Sequence, residues 1–116
     1  MSKTLFQKYL THEEYNLGYE DDIHAVNAGV NGYVLTKKWN RVSTVAVPNV
    51  SAVKLGQPKI GITYIVFNDT SNILKVTTWS NTVGFDAIPG GYVAYYTCVN
   101  ASGTKWTIRH EQVYNE

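Results

Sequence analysis

The segment Ile60-Gly-Ile-Thr-Tyr-Ile-Val-Phe-Asn68 decides how the rest of the chain is read. In an extended strand alternate side chains point to opposite faces, so Ile60, Ile62, Tyr64 and Val66 share one face and Thr63, Ile65 and Phe67 the other. Both faces are largely apolar, which predicts a central strand covered on each side, with a neighbouring subunit as one candidate cover. Working outward, further short β-branched and aromatic runs occur at 33–38, 41–47, 51–55, 73–79, 91–99 and 104–110, punctuated by Asn, Asp, Gly, Pro or Ser. Together these make about seven strands. Fourteen Val, seven Ile and twelve Thr against six Leu and five Glu also favour sheet over helix. The polar links 68–72 and 100–103 are short enough for hairpins, so the expected architecture is mainly β: a small antiparallel β-sandwich or barrel. A chain of 116 residues is one domain's worth and excludes a two-domain enzyme.

The amino-terminal part has another periodicity. Leu5, Phe6, Tyr9 and Leu10 recur at helical spacing, and Thr11 with Glu14 forms a capping box ahead of Tyr15 and Leu17, which fits a short helix or an irregular arm. Charge divides in the same place: residues 1–24 carry −3, and the remainder carries +4. Residues 25–32 are small and turn-prone, so the expected division is an N-terminal arm and connection over 1–32 and a β body over 33–116.

Few residues offer chemistry. After the connection, the acid and base candidates besides Lys, Arg and the last residue, Glu116, are Asp69, Asp86, His110 and Glu111. Asp69 and Asp86 sit beside turn residues and are read as turn formers, while His110 and Glu111, adjacent on a strand, point to opposite faces. His12, His24 and His110 have no ligand spacing, and Glu20-Asp21-Asp22 lacks the pattern of a calcium loop and reads as a solvated acidic turn or a set of salt-bridge partners for a basic neighbour. No catalytic residue, metal site or cofactor is expected. Cys98, the lone cysteine, is read as a buried apolar thiol. A net charge of +1 argues against nucleic acid as a partner, and no run is long and apolar enough for a membrane span. The sequons at Asn49, Asn68 and Asn100 are read as turns. Among the aromatics, Trp79 and Trp106 are expected in the core, and Trp39, between Lys37, Lys38 and Arg41, under the stems of those cations.

From Gly56 to Arg109 the chain resembles a small β module of bacteriophage fibre, spike and capsid-decoration proteins. The resemblance is carried by Gly61-Ile-Thr-Tyr-Ile-Val-Phe-Asn68, Ile73-Leu-Lys-Val-Thr77, Ile88-Pro-Gly-Gly-Tyr92, Tyr96-Thr-Cys-Val99 and Gly103-Thr-Lys-Trp-Thr-Ile108, in that order. It implies a non-enzymatic structural protein of the virion, made in the host cytoplasm, which assembles through its sheets, commonly as a trimer. With so short a lead-in to the body, a capsid-decoration or head-fibre-base protein fits better than a tail fibre. The arm is then expected to bind the major capsid protein, another virion protein or a neighbouring copy through Leu5, Phe6, Tyr9, Leu10, Tyr15, Leu17, Tyr19, Asp21 and Asp22. The alternative is a carbohydrate- or receptor-binding β-sandwich module, as at a tail-fibre or spike tip, with Trp39, Trp79 and Tyr92 as its platform. A small hydrolase or isomerase using His110, Glu111 and the acidic run is a third reading.

Overall fold

A computed structural model describes residues 18–79 and 85–113, apart from the side chain of Val30. It is mainly β, with nine strands in two open sheets that stack as a sandwich; the described strands close no barrel. The strands are β1 (Tyr19–Ala25), β2 (Tyr33–Val34), β3 (Trp39–Val45), β4 (Ala52–Lys54), β5 (Thr63–Asn68), β6 (Leu74–Thr77), β7 (Asp86–Ile88), β8 (Tyr92–Cys98) and β9 (Trp106–Gln112). One sheet has the order β1-β3-β5-β8-β9 and the other β2-β4-β6-β7.

The chain alternates between the sheets from β1 to β6, so each strand lies parallel beside the one two places earlier. This corrects the expectation of antiparallel neighbours throughout. A parallel pair needs a crossover, and here the intervening strand in the opposite sheet supplies it. The 68–72 link is therefore a corner between sheets, from β5 to β6, and no hairpin. After β6 the direction reverses: β7 runs antiparallel to β6, β8 to β5, and β9 to β8 through the expected hairpin at 100–103.

Backbone groups at the corners are satisfied coil to coil. The amides of Ala46 and Ala52 donate to the carbonyls of Ala25 and Asn27, and those of Leu35 and Leu55 to Lys54 and Thr77. Two fully buried asparagines complete them: Asn40 Nδ2 donates to the carbonyls of Lys37 and Ile65, and Asn68 Nδ2 to those of Asn72 and Ile88. A buried carbonyl without a partner is costly, which explains these two buried amide side chains. The sequons accordingly serve turns: Asn49 has φ 60°, Asn68 is buried, and Asn100 Oδ1 accepts from the amides of Thr104 and Lys105.

The main core lies between the sheets and contains Ile23, Val42, Tyr64, Val66 and Tyr96 from one, and Val53, Leu74, Val76 and Ile88 from the other. β5 is the central strand of the five, as its sequence predicts, and its second face carries Ile65 and Phe67, which with Val93 form a smaller buried cluster beside Tyr19, Trp39, Tyr95 and Val113. Two strands escaped the sequence reading. β1 belongs to the sheet, although its sequence was assigned to the arm and the connection, because a bulge at Asp22 (φ 57°) shifts the register and breaks the alternation while Ile23 and Ala25 still reach the core. β7 is only three residues long, and its first residue, Asp86, was read as a turn former.

Candidate functional site

Of the expected partner-binding residues, Leu5, Phe6, Tyr9, Leu10, Tyr15 and Leu17 lie outside the described residues. Tyr19, Asp21 and Asp22 are placed by β1. The acidic run does not converge, because each carboxylate has its own partner. Glu20 accepts a short hydrogen bond from the Tyr33 hydroxyl, and that bond, ahead of burial, pushes the Tyr33 phenol up to about 12. Asp21 Oδ1 and Asp69 Oδ2 take Arg41 Nη1 and Nε, both at 2.9 Å, on the outer face of the five-stranded sheet. Burial works against the Arg41 charge, but these two carboxylates outweigh it and raise its pKa. Asp69 thus spends its side chain on a long-range ion pair, a correction to its reading as a turn former. Asp22 accepts from the Ser43 hydroxyl at 2.5 Å, which chiefly lowers its pKa, with His24 3.4 Å away.

The three aromatics of the glycan reading are dispersed. Trp39 belongs to the outer cluster with Lys38 Nζ 5.8 Å above its ring, whereas Tyr92 packs on the inter-sheet core, so the two face opposite sides of the five-stranded sheet. Trp79 follows β6 in the other sheet and is 42% exposed under Lys54 Nζ, not in the core as its sequence suggested. Trp106 is buried as expected, its indole N–H donating to the Gly103 carbonyl at 2.8 Å. Cys98 is buried as well.

His110 and Glu111 do diverge. Glu111 lies on the outer face with Arg109 and Tyr95, and Arg109 stacks 4.0 Å from the Tyr95 ring centre. His110 turns inward, where Asp86 Oδ2 meets both His110 Nε2 and the Tyr96 hydroxyl at 2.7 Å. This cluster joins β7 of one sheet to β8 and β9 of the other, and burial, reinforced by Asp86, raises the Tyr96 pKa and keeps its phenol neutral. A carboxylate between an imidazole and a buried phenol can orient the imidazole, but only the fold brings together residues 10 and 24 apart in sequence.

Two adjoining surface clefts of about 300 and 350 Å³ share Ile62 and Tyr64; Thr36, Lys37 and Lys38 line the first, Gln57, Pro58 and Lys59 the second. The edge of the five-stranded sheet is the other candidate. β9 is seven residues long and exposed at every position after Trp106, and among the described residues no strand lies along its outer side.

No protein family, curated protein or solved structure matches the chain.

Proposed function

We propose that this protein is a non-enzymatic structural component of a phage virion, of the capsid-decoration or head-fibre-base type, whose amino-terminal residues bind the shell and whose β body meets other copies. The phage assignment rests on the ordered motifs between Gly56 and Arg109. The structural observation that supports an assembly role is the edge of β9, open among the described residues, since a seven-residue strand with one unpaired side is a template for another chain. Other edges are poorer templates: β1 is bulged, β2 has two residues and β7 three. Burial of surface across such seams stabilises the assembled state by mass action.

The test is co-sedimentation of the full chain with phage particles on a density gradient. The chain should travel with the particles, and replacing Leu5, Phe6, Tyr9 and Leu10 with Ser should release it. A chain that never accompanies particles but is retained on a glycan array would establish the carbohydrate-binding reading instead.

A further inference from the structure

We infer that β9 pairs with β9 of a second copy across a two-fold axis centred on Ile108, joining two five-stranded sheets into one of ten. This rests on the assembly reading above and names its partner and register. Val99 N donates to Lys105 O at 3.0 Å, and Val113 N to Gly91 O at 3.1 Å. These bonds bracket the β8–β9 ladder, in which Thr97 faces Thr107 and Tyr95 faces Arg109. Because an antiparallel ladder alternates, Lys105, Thr107, Arg109, Glu111 and Val113 turn their backbone groups toward β8, while Trp106, Ile108, His110 and Gln112 turn theirs to the open edge.

A second copy must therefore pair even-numbered residues with even-numbered ones, and charge selects among the possible centres. Centring on Arg109 or on Glu111 sets that residue against its own like charge, and centring on Thr107 sets Lys105 against Arg109. Centring on His110 opposes Arg109 to Glu111 but leaves Ile108 against Gln112 and the two imidazoles against each other. Centring on Ile108 places Lys105 opposite Glu111 of the second copy, twice by symmetry, and Arg109 opposite Thr107. It also sets Ile108, 44% exposed in one chain, against its own counterpart. That register uses residues 104–112 in full. An edge-to-edge contact is small, so the dimer is a concentration-dependent one.

Sedimentation velocity of the full chain across a concentration series tests the pairing. The wild type should pass from monomer to dimer. Ile108→Pro removes an N–H that points to the open edge, so it should stay monomeric while the β8–β9 ladder and the circular dichroism spectrum are retained. Should that variant misfold, charge reversal gives the answer: Glu111→Lys should weaken association by about tenfold or more, and adding Lys105→Glu should restore it. A wild type monomeric at every concentration overturns the proposal. Association unaffected by Ile108→Pro also overturns it, by placing the contact on another surface and leaving the assembly reading intact. A failed charge rescue rejects the register. Dimers that never join particles would instead retain the edge pairing and refute the virion reading.

Discussion

Tyr96→Phe isolates the cluster that ties the two sheets together. The Tyr96 hydroxyl is buried and donates 2.7 Å to Asp86 Oδ2, which the His110 ring also reaches at 2.7 Å. Deleting the hydroxyl leaves the ring packed against Phe85, 6.1 Å between centres, so the loss is electrostatic and creates little cavity. A hydrogen bond to a charged acceptor contributes about 1.5–3 kcal/mol. For a chain of this size that lowers Tm by about 6–12 °C, read by thermal melts at pH 7 with urea titration as a second measure. Alkali gives an independent signature. The folded pKa of Tyr96 is raised above the ordinary phenol value of 10.0, so its contribution is complete below pH 10 and is lost as pH rises toward the folded pKa. Above pH 10 the advantage of wild type over Tyr96→Phe should shrink by about 1.4 kcal/mol per pH unit. A difference below about 0.5 kcal/mol at neutral pH, or one independent of pH above 10, would refute the reasoning.

Arg41→Met leaves Asp21 and Asp69 without their shared cation, and since the Asp69 side chain is only 8% exposed, urea titration should show a loss of about 3 kcal/mol. Gly56→Ala would bring a Cβ to 2.2 Å from the Tyr64 hydroxyl and 2.4 Å from the Leu35 carbonyl, so it should lower stability by about 3 kcal/mol or prevent folding. Gly61→Ala meets open space but must hold φ +87°, and should cost only about 1–2 kcal/mol in the same denaturation assay. Tyr33 should resist ionisation to about pH 12 in a spectrophotometric titration, and Glu20→Gln should bring it down toward 10.

Strand positions and faces were legible wherever alternation is uninterrupted. The 60–68 segment announces a central strand with two apolar faces, and β5 occupies the middle of the five-stranded sheet with Tyr64 and Val66 on one side and Ile65 and Phe67 on the other. The last strand was legible in part: alternation sets Trp106 and Ile108 on one face and Lys105, Thr107 and Arg109 on the other, but Trp106 reaches the core while Ile108, further along the open edge, stays 44% exposed. β1 was not, because its bulge moves Ile23 and Ala25 off the alternating pattern, and an acidic run looks like a solvated turn until Tyr33, Arg41 and Ser43 are seen beside it. Trp79 misled for a related reason: an aromatic ends an apolar run whether the next strand covers it or Lys54 does.

Local pattern by itself determined that the chain is mainly β and where seven of the nine described strands lie, because backbone preference and side-chain alternation act over a few residues. Tertiary structure decided whether a short link closes a hairpin or crosses to the opposite sheet, and so made the neighbours of β1 to β6 parallel. It also decided the meeting of Asp86 with Tyr96 and His110, and which strand is left at the open edge. Those outcomes depend on how two sheets share one core, and contacts between residues far apart in sequence leave no local periodicity to read.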